Sequence, residues 1–166
     1  MLKDKIVDGL NKQINAEFFA SYEYLGMAAY FEYQNLGGFA HWMNIQSQEE
    51  YAHALKIFGY LIETGGKVNL TSVNEPTSNW KSPLAIFEAA FKHEQGVTQS
   101  IYNLVDLCIS EKDHATNNFL QWFVSEQVEE ESTALKILEK IKLVGDNKGA
   151  LFMLDREMGQ RLTNNS

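Results

Sequence analysis

The sequence predicts an all-α fold: one domain over residues 1–166, built as a four-helix bundle with a long crossover between its second and third helices and a short fifth helix at the C-terminus. Three observations predict it. Apolar residues recur at helical spacing along four long stretches. Only two prolines interrupt the 166 residues, which favours long unbroken elements. One long connection without any period divides the four stretches into two hairpins.

The first helix is predicted over 4–33. Ile6, Leu10, Ile14, Phe18, Tyr22 and Leu25 form its apolar stripe, Asp4 or a neighbour caps it, and Asn35-Leu36-Gly37-Gly38 ends it. The second is predicted over 39–64, with Met43, Ile57, Tyr60 and Leu61 toward the core and Gly65-Gly66 as its stop. Residues 65–82 show no helical spacing and are long for a connection in a compact domain. At about 3.3 Å per residue such a segment reaches roughly 50 Å, more than the length of a helix of about 28 residues, which is about 42 Å. It reads as a crossover that carries the chain back along the whole bundle.

Ser82 and Pro83 suit the N-cap and first turn of a third helix over 83–111, with Phe87, Phe91, Val97, Ile101, Leu104 and Cys108 on one side. A turn near Lys112-Asp113 leads to a fourth over 114–144, carrying Phe119, Trp122, Phe123, Ala134, Ile137 and Ile141. Gly145 ends it. Asp146 is predicted to cap a fifth helix over 147–162 whose apolar side is Leu151, Phe152, Leu154 and Met158, before the polar tail Thr163-Asn164-Asn165-Ser166.

Composition narrows the function classes. The net charge of −8 argues against a nucleic-acid partner, because phosphates call for a basic face. Apolar residues make up 45% of the chain, enough for a sizeable core, yet no run approaches a membrane span. Cys108 is the sole cysteine, so no internal disulfide forms and a reducing compartment fits. The N-terminus opens directly into charged amphipathic sequence without an apolar signal core, so a cytoplasmic protein is expected.

The chemistry centres on Gln48-Glu49-Glu50-Tyr51-Ala52-His53. Glu50-x-x-His53 places a carboxylate and an imidazole one turn apart on one helix face. Alone this signal is weak, since a single histidine is more often a satisfied core residue, and a single glutamate at the edge of a core finds a Tyr or Gln partner. The rest of the chain strengthens it. One offset of 77 residues maps Glu17, Glu49, Glu50 and His53 onto Glu94, Glu126, Gln127 and Glu130. Within each hairpin these groups lie at matched distances from the turn, so they are predicted to meet near mid-bundle.

Carboxylates in an apolar stripe are costly unless paired or bound to metal. Without a cation, Glu17, Glu50, Glu94 and Glu130 would repel one another and raise at least one pKa. One imidazole among carboxylates suits iron or manganese rather than structural zinc. A bridging Glu50 would hold two metals a few ångströms apart, the arrangement for two-electron chemistry on O₂. Tyr24, two turns after Glu17 on the same face, reads either as core packing or as an electron donor. Glu49, Glu126 and Glu129 read either as a solvated acidic face or as a third metal position beside the inner ligands. His41, His93 and His114 have no matched partners and read as surface or structural.

The set Glu17, Tyr24, Glu50-x-x-His53, Glu94, Gln127 and Glu130, spread over all four helices, resembles that of the ferritins of the non-haem bacterial type. The resemblance implies a ferroxidase that oxidises Fe²⁺ with O₂ or peroxide and stores ferric oxide inside a homo-oligomeric shell of twenty-four chains. It implies a di-iron centre in which Glu17, Glu50 and His53 hold one iron and Glu50, Glu94 and Glu130 the other, with Gln127 and Tyr24 beside them. Glu49, Glu126 and Glu129 match a third iron site, with Glu130 shared. Bacterioferritins repeat Glu-x-x-His and place a haem-ligating Met directly after the first motif's Glu; here the second copy reads Gln127-x-x-Glu130 and that position is Tyr51, so haem is not expected. The alternatives are a non-storage di-iron oxidase or peroxidase of the same class, and a helical assembly protein whose buried acids are satisfied by hydrogen bonds alone.

Overall fold

A computed structural model describes residues 2–163 and contains α1 (Asp4–Tyr33), α2 (Gly37–Glu63), α3 (Pro83–Glu111), α4 (His114–Val144) and α5 (Lys148–Met158). Among the described residues there is no strand. Of the predicted polar tail, Asn164, Asn165 and Ser166 lie outside the described residues. No helix among the described residues is long and apolar enough to cross a membrane.

The helices begin and end where local chemistry satisfies their free backbone groups. The Ser82 side chain accepts from Ala85 N (3.1 Å) with Pro83 in the first turn of α3, and Asp113 does the same for α4 through Thr116 N (3.0 Å). Lys112 (φ 58°) and Gly145 (φ 54°) close α3 and α4 in the left-handed region. Two predicted caps differ. Asp4 is the first residue inside α1, where it complements the helix dipole, and Lys3 before it offers no side-chain cap. Asn147, not Asp146, caps α5, by accepting from Ala150 N (2.9 Å).

Two apolar clusters fill the bundle, one at each end. One joins Met27, Phe31, Phe39, Met43, Phe87, Ala90, Ile137 and Ile141; the other joins Ile6, Leu10, Ile14, Ile57, Leu61, Ile101, Leu104 and Phe123. The first helix is the main departure from the predicted stripe. Tyr22 and Leu25 are about half exposed, while Ala20, Tyr24, Met27, Ala28 and Phe31 turn inward. The stripe drifts because an α-helix repeats every 3.6 residues, so a run of four-residue steps walks off the buried face. Phe152, expected on the inner side of α5, is also exposed, and Leu154 and Met158 make the contact instead.

The crossover lies along α1. Asn11 donates to Lys67 O (2.9 Å) and accepts from Asn69 N (2.7 Å), Asn15 donates to Ser72 O (3.0 Å), and Glu23 accepts from Thr77 N (2.8 Å). Polar side chains of one helix thus satisfy the backbone of a segment with no secondary structure of its own. Within the first hairpin small polar residues let the helices approach: Ser21 and Ser47 each donate to the other's backbone carbonyl (2.8 and 2.7 Å), joining α1 to α2.

Gly37-Gly38 was expected as a stop before α2 and is instead its first turn. Leu36 offers no cap, and the missing acceptor comes from α5, whose Asp155 Oδ1 receives Phe39 N (2.9 Å). That docking brings the two backbones so close that a Cβ on Gly38 would lie 1.6 Å from Asp155 O. Gly38→Ala is therefore expected to push α5 off the start of α2 and to destabilise the chain by about 1–3 kcal/mol, as overpacking does. Thermal unfolding of the variant beside Gly37→Ala, whose Cβ meets nothing within 4 Å, checks this; equal melting temperatures would contradict it.

Candidate metal centre

A polar layer separates the two apolar clusters. On α1 it falls between Ile14 and Tyr24, on α2 between Met43 and Ile57, on α3 between Ala90 and Val97, and on α4 between Phe123 and Ile137. Glu17, Glu50, His53, Glu94, Gln127 and Glu130 occupy it, and all are buried. Helical spacing puts each on the inward face, and the paired hairpins bring them to one height.

They form two donor groups, Glu17 with Glu50 and His53, and Glu50 with Glu94 and Glu130. In each group one ligand atom per residue lies within 4.8 Å of the others, and Glu50 belongs to both. Glu17 Oε2 is buried without a hydrogen-bond partner, the condition of an oxygen left for a cation. Carboxylates with a single imidazole fit hard or borderline divalent ions such as Fe²⁺.

The electrostatics are those of a cation site. Burial, and then repulsion from the Glu50 charge, push Glu17, Glu94 and Glu130 each up to about 8. Burial alone would raise Glu50 and lower His53, but their mutual contact (Nδ1 to Oε2, 3.2 Å) reverses both. Glu50 therefore sits below the usual carboxylate range, and His53 rises to about 9. One carboxylate keeps its charge while three hold protons.

Neighbouring amides and hydroxyls orient the carboxyls. Tyr24 Oη donates to Glu94, and burial with the adjacent acids raises the phenol well above its ordinary value. Gln127 Nε2 donates to Glu94 Oε2 (3.2 Å), which sets its amide beside that carboxyl. Sequence reasoning missed Gln13 and Gln46. Gln13 donates to Glu17 (2.8 Å) and accepts from Ser100 Oγ (2.6 Å); Gln46 donates to both Glu50 (2.8 Å) and Glu130 (2.9 Å). The available signal was a glutamine one turn before each of Glu17 and Glu50, where side chains four apart meet.

Outside this layer, Glu126 joins His53 and Glu130 in a third donor group. Glu49 lies beside them but is paired with Arg161, and Glu129 is exposed. Of the remaining histidines, His41 and His114 lie near the surface, whereas His93 packs edge-on against Tyr24 with its pKa lowered by burial.

Four helices closing around buried carboxylates and one imidazole, with one carboxylate common to two donor groups, define a four-helix bundle whose side chains could hold paired metal ions. The Ferritin-like domain family matches residues 7–144. The chain is 44% identical over 161 residues to a bacterial non-heme ferritin of Bacteroides fragilis, covering 97% of this chain and all of that one. It is 42% identical over 156 residues to a bacterial non-heme ferritin of Campylobacter jejuni, covering 94% of this chain and 93% of the relative. Its fold matches a solved open pore ferritin from the hyperthermophilic archaeon Archaeoglobus fulgidus with a TM-score of 0.97 at 51% identity, covering 98% of this chain and 100% of that chain. The chain belongs to the ferritin family.

The protonation pattern has a measurable sign. Glu17, Glu94 and Glu130 titrate near 4.5 when unfolded and near 8 when folded, so their stabilisation is complete below about pH 4.5 and lost as pH rises through 8. His53 acts in the same direction between 6.5 and 9. Glu50 has the opposite sign, but its loss falls in acid. The melting temperature of metal-free protein is expected to fall from pH 6.5 to 9, and divalent metal to raise it more at pH 8.5 than at pH 6. Calorimetry across that range checks this; a flat or rising profile in metal-free protein would contradict it.

Proposed function

We propose that this protein is an iron-storage ferritin with ferroxidase activity. The observation that carries the reading is Glu50, shared by two donor groups and held charged between them. Fe²⁺ is the substrate: Glu17, Glu50 and His53 receive one ion, and Glu50, Glu94 and Glu130 the other. Each ion gives up one electron, and O₂ or a peroxide accepts the pair together with two protons. When Fe²⁺ binds, the protons on Glu17, Glu94 and Glu130 leave, so the charge of the arriving ions is met by carboxylates formed in place. Gln13, Gln46, Gln127 and Tyr24 hold these carboxyls in orientation, which shortens the rearrangement that binding requires. Ferric product then passes into the interior of a shell of twenty-four chains and is deposited there as oxide. Similarity to relatives named bacterial non-heme ferritin supports storage over a non-storage oxidase.

Glu50→Ala removes the carboxylate common to both groups. Stopped-flow absorbance after adding Fe²⁺ in air to metal-free protein is expected to show fast oxidation saturating at about two irons per chain, slowed about 100-fold or more in the variant. An unchanged initial rate in a folded variant would sink the assignment. Light scattering is expected to give a particle of twenty-four chains, each of 18.9 kDa; a dimer would instead favour the non-storage oxidase.

A further inference from the structure

Beyond the end of α5 the chain turns back over α2, and Arg161 meets four of its residues. Its Nη2 donates to Glu49, and its Nη1 donates to Gln46 Oε1 (2.9 Å) and Trp42 O (3.3 Å). The guanidinium lies 4.3 Å from the centre of the Trp42 ring, and His41 Nε2 is 2.9 Å from Arg161 O. The ion pair is well covered: the Arg161 and Glu49 side chains are only 16% and 17% exposed. A guanidinium keeps its charge at any ordinary pH, and its planar fork serves Glu49 and Gln46 from two separate nitrogens in a fixed geometry.

Two further observations give this contact a consequence. Gln46, whose oxygen is taken by Arg161, uses its nitrogen to hold Glu50 and Glu130. One amide thus links the C-terminal segment to the carboxylate shared by both donor groups. On the other side, Glu49 Oε1 is buried with no partner, and it faces a cleft of about 380 Å³ that His53, Lys56, Trp122, Glu126 and Thr163 also line. His53 and Glu126 also form a donor group with Glu130, to which Glu49 does not belong, and Glu49 is paired with Arg161 instead. A carboxylate can lie between a divalent ion and a guanidinium, but the two cations then repel across a few ångströms, so the pair with Arg161 weakens Glu49 as a ligand.

We propose that Arg161 is a built-in competitor for a cation at this outer position: it neutralises Glu49 and steadies Gln46 against Glu50 and Glu130, and it is displaced when a divalent ion takes Glu49 together with Glu126. This rests on the ferroxidase reading, because the outer position matters only beside an occupied inner pair. Arg161 touches none of the inner ligands and is a positioning residue. Its effect is to tie occupancy of the outer position to the orientation of the inner bridge through a single glutamine.

The test is anaerobic calorimetric titration of metal-free, full-length protein with Fe²⁺, comparing the wild type with Arg161→Ala, Glu49→Gln and the double variant. Arg161→Ala is expected to keep two tight equivalents per chain and to strengthen the weaker third about tenfold, the scale of one partly covered ion pair. In the Glu49→Gln background, removing Arg161 is expected to change binding less than about twofold. Arg161→Gln, which keeps part of the stem and an amide donor but not the charge, is expected to follow Arg161→Ala and gives the same comparison if the alanine variant does not assemble. A third equivalent left unchanged or weakened, with the two tight ones intact, overturns the competition while sparing the ferroxidase reading. An equal gain in the Glu49→Gln background overturns it too, since the effect would then be one of overall charge. No Fe²⁺ bound by any form overturns the ferroxidase reading and this proposal with it.

Discussion

A single negative charge organises the centre of this bundle. Glu50 sits at the meeting point of the two hairpins, contacted by His53 from its own helix and by Gln46 one turn before. Because that charge is retained, the three carboxyls facing it are driven to hold protons, and the imidazole is driven to keep one. The metal-free layer is thus a neutral compromise, charged only where a partner is at hand. Removing protons turns the same side chains into a set of anionic donors that could meet divalent ions.

Such a layer is a weakness in stability terms, since buried acids bring desolvation without the gain of apolar packing. The fold offsets it by enclosing the layer between two aromatic- and aliphatic-rich clusters that share no buried residue. Phe31, Phe39 and Phe87 pack around one end, and Phe119, Trp122 and Phe123 close on His53 and Tyr60 at the other. The clusters set helix separation, so the carboxyls are held near one another without an ion between them. The arrangement trades some folding energy for a preformed site.

The support around the site is asymmetric. Gln13 and Gln46 serve the first hairpin's glutamates from one turn away, whereas Glu94 on the second hairpin depends on Tyr24 and Gln127 from other helices. Gln46 is also reached from outside by Arg161, so the C-terminal segment is joined to the innermost carboxylate by two hydrogen bonds in series. The short α5 matters here as an anchor: Asp155 ties it to the start of α2, and that docking sets where Arg161 falls.

Periodicity and spacing alone determined the helices, the crossover and the six residues of the inner layer, because each depends on the local geometry of one helix. Residues 3, 4 and 7 apart share a face whatever surrounds them, and equal distances from two turns bring antiparallel partners level. The matched offset between Glu17, Glu50, His53 and Glu94, Gln127, Glu130 made the site visible without any contact being known. Only the tertiary structure decided how the two hairpins are staggered, and with it that Tyr24 reaches Glu94 and that Gln46 reaches Glu130. The same holds for Gly38, for Asp155 as a distant cap and for Arg161 over Glu49. Their roles come from contacts between residues more than a hundred positions apart, and no local period of a sequence encodes the direction in which two packed helices face each other.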